Sequence, residues 1–321
     1  MWGVHCLSAK PIQTSMRDAL GEALVKLGEE IPELVVVGAD TSGSLKLSVF
    51  GSKFPQRFFN VGIAEQNMVG VAAGLALAGK KVVCGSYAVF MPGRAVDQIR
   101  NTIAYCRLDV KLVGSHGGVS VGPDGGSHQA LEDIAIMRSI PNMNVVVPAD
   151  GISTKKLFTQ ACRSVGPYYV RLARPSSPAV YTEGTELRVG RAEILRDGSD
   201  VAIIAVGLMV DKALRAAQSL REAGVSAMVV DSHTVKPLDA ETILSAARTT
   251  GAVVTAEEHN VFGGVGSAVA ELLVKTHPVK MEMVGVNDVF GESGETDELM
   301  AKYGLTEKHI FEAAMKMVKQ K

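Results

Sequence analysis

The sequence predicts an α/β protein of two domains, each a mostly parallel sheet with helices on both faces. Three observations predict it. Short, all-apolar, β-branched runs alternate with amphipathic stretches from residue 12 onward. Those runs lack the in–out alternation of a half-exposed strand, as befits strands covered on both faces. The rhythm then restarts after one aperiodic, turn-rich segment, which is the mark of a second unit. At 321 residues, 47% hydrophobic and 21% charged, the chain has enough apolar material for two packed cores.

Ser15 and Asp18 open a first helix whose apolar stripe is Met16, Ala19, Leu20, Ala23, Leu24 and Leu27. Their short polar side chains can accept hydrogen bonds from the free amides of the first turn. Leu34–Gly38 reads as a buried strand, followed by strands at 81–86, 110–114, 144–148 and 168–173. Between residues 174 and 189 the run Pro-Ser-Ser-Pro-Ala-Val-Tyr-Thr-Glu-Gly-Thr has turn chemistry and no period. The boundary falls there, giving domains 1–182 and 183–321. The second, smaller unit has strands at 201–206, 227–231, 252–256 and 281–286, with helices beginning near Met209, Asp239 and Gly266. No internal repeat or low-complexity tract is visible.

Composition excludes several function classes. The formal net charge is −1 and the charges are spread along the chain, so neither nucleic acid nor an anionic membrane is an expected partner. The start, Met-Trp-Gly-Val-His-Cys-Leu-Ser, lacks the basic and apolar regions of a secretory signal. No apolar segment reaches the roughly 20 residues of a membrane span. Cys6, Cys84, Cys106 and Cys162 are widely spaced and include no CxxC pair, which fits neither a zinc site nor a disulfide framework. The expected home is a reducing cytoplasm.

Two segments carry chemistry. In the stretch from Asn60 to Leu75, one acid, Glu65, opens an otherwise apolar, small-residue helix. It reads equally as a helix-start acid favoured by the dipole and as a buried functional carboxylate that needs a specific partner. The second segment, Gly114 to Gln129, follows a strand and precedes a helix, the sheet edge where open α/β folds bind ligands. Its glycine-rich loop carries His116, Asp124 and His128. Two imidazoles suit proton transfer at hydroxyl and carbonyl oxygens, and that chemistry outweighs the reading as a plain surface loop.

These segments resemble the transketolase family, specifically its pyrimidine-binding and C-terminal domains. The resemblance rests on Gly62-Ile-Ala-Glu65-Gln, Arg94-Ala-Val-Asp-Gln-Ile-Arg100, Gly114-Ser-His116, Gly122-Pro-Asp124-Gly-Gly-Ser-His128-Gln, Ala130-Leu-Glu-Asp-Ile and Pro148-Ala-Asp150. Val235-Lys-Pro-Leu-Asp239 and Gly263-Gly-Val-Gly266 extend it into the second domain. The resemblance implies thiamine diphosphate as cofactor, with Glu65 activating its aminopyrimidine and Phe90, or Tyr87 in reserve, stacking on it. Asp40 would lie near the cofactor. His128 would shuttle protons, Asp124 would bind a sugar hydroxyl, and His116 would contact the donor or its phosphate. Arg17, Ser44 and Arg174 fall where the family binds the sugar phosphate; for Arg17, surface ion pairing is an equal alternative.

The family's Gly-Asp-Gly…Asn stretch, which holds Mg²⁺ or Ca²⁺ on the diphosphate, has no counterpart here, so no metal ligand is assigned to this chain. The resemblance therefore implies the C-terminal subunit of a split transketolase, active only with an N-terminal subunit, as an α2β2 heterotetramer acting on sugar phosphates. Other members of the superfamily remain alternatives: the β subunit of a 2-oxo acid dehydrogenase and a deoxyxylulose-phosphate synthase. A different class of reading is a nucleotide-binding or regulatory module built on Gly263 to Gly266, although that turn lacks the full GxGxxG spacing.

Overall fold

The computed structural model describes residues 12–321; Cys6 and the rest of the N-terminal stretch lie outside them. In the first half the order is β1 (Gln13–Thr14), α1 (Met16–Glu30), β2 (Leu34–Gly38), α2 (Leu47–Lys53), β3 (Phe58–Asn60), α3 (Glu65–Leu77) and β4 (Lys81–Tyr87). Then come α4 (Phe90–Asp97), β5 (Val110–Ser115), α5 (Asp133–Ser139), β6 (Asn144–Val146), α6 (Gly151–Arg163), β7 (Tyr168–Arg171) and β8 (Ser177–Pro178). The second half runs β9 (Glu193–Arg196), β10 (Val201–Ala205), α7 (Met209–Glu222), β11 (Ala227–Asp231), β12 (Thr234–Lys236) and α8 (Ala240–Thr250). It ends with β13 (Ala252–Asn260), α9 (Val265–Thr276), β14 (Lys280–Val286), α10 (Thr296–Lys302) and α11 (Glu307–Gln320).

The two-domain α/β architecture is the expected one. A seven-stranded sheet has the order β12-β6-β7-β5-β4-β2-β3, parallel except for β12, and a five-stranded sheet has the order β14-β13-β10-β11-β9, parallel except for β9. The all-apolar strand runs follow from this layering. Leu34 and Val36 enter one hydrophobic cluster while Val35 and Val37 enter the other, because successive side chains point to opposite faces and both faces are covered. Each cluster continues from the first sheet into the second. α1 packs its full predicted stripe inward, and the Ser15 hydroxyl accepts a hydrogen bond from the Asp18 amide at 3.2 Å.

β3, β9 and β12 lie outside the expected strand set. They are short, they sit at sheet edges, and they lack an apolar run to announce them. β12 crosses from the second half to pair with β6 of the first sheet, joining the domains through main-chain bonds. The strand expected at 252–256 continues to Asn260, carrying Glu257 and Glu258 into the buried junction. Among the described residues no helix is long and apolar enough to cross a membrane.

Candidate active site

The candidate residues gather because parallel strands end together. Gly38 pairs with both Gly85 and Asn60, and Gly85 pairs with Val113, so β2, β3, β4 and β5 deliver their last residues to one edge. Asp40, Asn60, Tyr87 and His116 follow from these ends, and Arg174 follows β7. Asp40 takes a left-handed conformation (φ 62°), and its amide donates to the Asn60 side-chain oxygen at 3.0 Å. The Asn60 side-chain amide donates back to the Asp40 carboxylate at 3.3 Å, tying the two loops together.

Glu65 is the first residue of α3 and is only 3% exposed. A carboxylate there gains from the helix dipole, but burial also demands hydrogen-bond donors. Ser86 supplies a hydroxyl at 3.2 Å, and the Arg94 guanidinium donates to both carboxylate oxygens at 3.0 and 3.2 Å. Arg94 also lies 3.9 Å over the Phe90 ring. Sequence reasoning assigned this arginine no role, and its position four residues beyond an unpredicted helix start left no periodic cue.

Phe90 and Tyr87 stack with centroids 5.7 Å apart, and Tyr87 stacks in turn on His116 at 4.0 Å. His128 meets Phe90 edge-on at 5.1 Å and Tyr87 at 6.0 Å. Through Arg94, the carboxylate, both aromatic candidates and both histidines therefore form one continuous chain of contacts. His116 is buried in a left-handed conformation, with its Nδ1 sharing a 2.8 Å hydrogen bond with the Ser115 hydroxyl. Burial, with Arg17, Arg174 and His128 around it, pushes its pKa down to about 3. His128 is half-buried, its Nδ1 3.0 Å from the Ser127 hydroxyl, and Asp124 is exposed at the loop crest.

Arg17 is half-buried on α1, and its guanidinium donates to the Ser44 carbonyl at 3.0 Å. Ser44 thus meets Arg17 through its main chain. The Arg17 Nε is buried without a partner, and burial together with Arg174 holds its pKa below the ordinary arginine value. Arg174 donates to the Val121 carbonyl at 2.5 Å. Arg174 disfavours the charge on Arg17, and both disfavour a charge on His116, a concentration of positive charge suited to a dianion.

The glycine-rich loop is held from behind by a network that sequence reasoning missed. Arg171 pairs with Asp133 at 2.9 Å and also donates to the carbonyls of Ala130 and Glu258. The Glu258 carboxylate accepts from the Ser120 amide at 2.5 Å, so the second domain grips the loop directly. Gly118 (φ 84°) lies here, and any Cβ would fall 2.2 Å from the Glu258 carboxyl. The only sequence cue was two acids inside an apolar strand. At Gly263 to Gly266 the Glu257 carboxylate speaks against phosphate binding: it accepts from the Val265 and Gly266 amides at 2.8 Å each. The amides that would hold a nucleotide phosphate are already bonded, and Gly263 packs against Ala135 of the first domain.

The family model for the transketolase pyrimidine binding domain matches residues 13–179, and that for the transketolase C-terminal domain matches residues 190–310. The chain belongs to the transketolase family. A Methanocaldococcus jannaschii protein, whose name assigns it to a transketolase C-terminal section, is 45% identical across 96% of this chain and 98% of its own length. The 6-deoxy-6-sulfo-D-fructose transketolase subunit of a Clostridium species is 42% identical across 95% of each chain. Among solved structures, a split-gene transketolase in an inactive β4 tetramer superposes with a TM-score of 0.89 at 48% identity, covering 95% of this chain and 99% of that one. Both transketolase domains thus account for nearly the whole described chain.

Proposed function

We propose that this chain is the C-terminal subunit of a two-chain, cytoplasmic transketolase that moves a two-carbon ketol unit from a ketose phosphate to an aldose phosphate. One observation carries the reading: a buried carboxylate, an aromatic shelf, two histidines and two arginines converge at one strand edge. The residues fit thiamine diphosphate. Its aminopyrimidine is a flat heteroaromatic that needs a carboxylate at a ring nitrogen and a hydrophobic face, and Glu65 with Phe90 and Tyr87 offers both. When bound, the cofactor supplies the stabilisation of negative charge on carbon that protein side chains lack.

The chain's own groups divide the remaining work. Glu65 holds a proton at the pyrimidine nitrogen, and Asp40 frames the same edge. His116, kept neutral by its surroundings, serves as a hydrogen-bonding contact to the donor sugar. His128, half-buried beside Phe90 and Tyr87, moves the proton at the substrate hydroxyl. Asp124 accepts from a sugar hydroxyl, while Arg17, Arg174 and the Ser44 segment grip the phosphate. The diphosphate and its Mg²⁺ or Ca²⁺ belong to the N-terminal subunit, in an α2β2 assembly. The names of the C-terminal section and of the split-gene structure support this division.

The test mixes this chain with its N-terminal subunit, thiamine diphosphate, Mg²⁺ and a ketose–aldose phosphate pair. Two-carbon transfer is expected from the mixture and not from either chain alone; full activity from this chain alone would refute the division. Glu65→Gln should assemble normally yet lose turnover by about 10²-fold or more, as removal of an acid–base group does. Pyruvate consumption without ketose turnover would move the chain to the decarboxylating or synthase branch of the superfamily.

A further inference from the structure

The contacts of Arg94 are the ones an aminopyrimidine would require. The guanidinium donates to both oxygens of Glu65 and covers the face of Phe90 at 3.9 Å. A carboxylate at 3% exposure has room for few donors, and a ring face accommodates one planar group at a time. The geometry points to Arg94 as a positioning residue that competes with the cofactor: it keeps Glu65 paired and aimed, and yields its place when the pyrimidine enters. This inference rests on the thiamine-diphosphate reading above.

The backbone around Arg94 suits a side chain that must leave while its anchor stays. Ala95 departs from helical geometry (φ −117°, ψ 21°), and the Gln98 amide donates to the Ala95 carbonyl rather than to that of Arg94. A π-helical turn, Gln98–Ala104, follows; such interruptions of the regular ladder recur at functional sites. The freed Arg94 carbonyl accepts from the Gln66 side-chain amide at 2.9 Å, which ties α4 to the residue next to Glu65. The main chain is thus fixed on α3 while the side chain remains 47% exposed, with solvent to swing into. An arginine so exposed is held loosely enough to be displaced, because screening weakens its pairing. A lysine would keep the charge but not the flat contact with Phe90.

The experiment measures thiamine diphosphate binding by calorimetry to the complex assembled with the N-terminal subunit, comparing wild type, Arg94→Met and Arg94→Lys. Removing the competitor should tighten binding by about tenfold in Arg94→Met and by a smaller factor in Arg94→Lys. A group that only braces the fold would leave affinity unchanged or weaken it, so equal or weaker binding by Arg94→Met overturns the inference. If that variant does not fold, Arg94→Lys decides alone: binding tighter than wild type supports competition, and binding equal or weaker refutes it. Failure of the wild-type complex to bind the cofactor would sink the functional reading as well as this one. Binding by wild type with no tightening in the variants would sink only this one.

Discussion

Arg171→Met tests whether the buried network behind the glycine-rich loop holds the two domains together. Arg171 is 6% exposed and its partner Asp133 only 1%. The guanidinium reaches Asp133 at 2.9 and 3.2 Å, the Ala130 carbonyl at 3.1 Å and the Glu258 carbonyl at 2.9 Å. Methionine fills much of the volume but donates nothing. Asp133 would be left with the Tyr169 hydroxyl at 2.7 Å as its remaining donor among these contacts. Breaking a buried pair from one side costs about 3–5 kcal/mol, and the two carbonyls that lose donors add about 1 kcal/mol each at most. A loss of about 3–7 kcal/mol is expected, read as a lower midpoint in urea unfolding followed by circular dichroism. Asp133→Asn in the same chain removes the stranded charge and keeps the tyrosine bond, so the double variant should recover about half of the loss. A single variant within about 1 kcal/mol of wild type, or a double variant less stable than the single, would refute the network's role.

Further outcomes follow from the buried titratable groups and the concentrated positive charge. His116 and His233 are pushed by burial down to about 3 and about 4, so the folded chain refuses protons that unfolded histidines accept near 6.5. Stability from this source is complete above about pH 6.5 and falls as pH drops through that value; His116→Gln should flatten the slope, and His116 or His233 imidazole NMR signals titrating near 6.5 would contradict it. Asp231, raised to about 8 chiefly by burial with Asp150 and Glu193 nearby, binds its proton better folded than unfolded, so its effect runs the other way. Stability should fall as pH rises from about 4 to about 8, and Asp231→Asn should gain on the order of 2–4 kcal/mol at pH 9 in thermal or urea unfolding; a less stable variant at that pH would defeat the assignment. Arg17→Met and Arg174→Met should each raise KM for a phosphorylated ketose by about tenfold or more and leave an unphosphorylated analogue little affected, with equal losses on both sugars counting against phosphate recognition.

What sequence reasoning reached and what it missed divide along a physical line. The α1 stripe and the strands β2, β4, β5, β10 and β11 were legible because burial on two faces imposes an apolar pattern on consecutive residues. Glu65, His116, Asp124 and His128 stood out because polar residues in such settings need a reason. Arg94 and Arg171 left no such trace: each is an ordinary arginine until a partner from another element reaches it, Glu65 from 29 residues away and Asp133 from 38. The same holds for β12, three residues whose pairing with β6 exists only once both domains are folded. One clue was available and underused. Glu257 and Glu258 follow a strand whose preceding residues are almost wholly apolar, and acids seldom lie buried unless paired. Treating that breach as a demand for donors would have pointed to the α9 amides for Glu257 and to a main-chain donor from the glycine-rich loop for Glu258. The junction that steadies His116 and His128 was therefore encoded as an exception to the apolar rule, at a distance where periodicity carries no information.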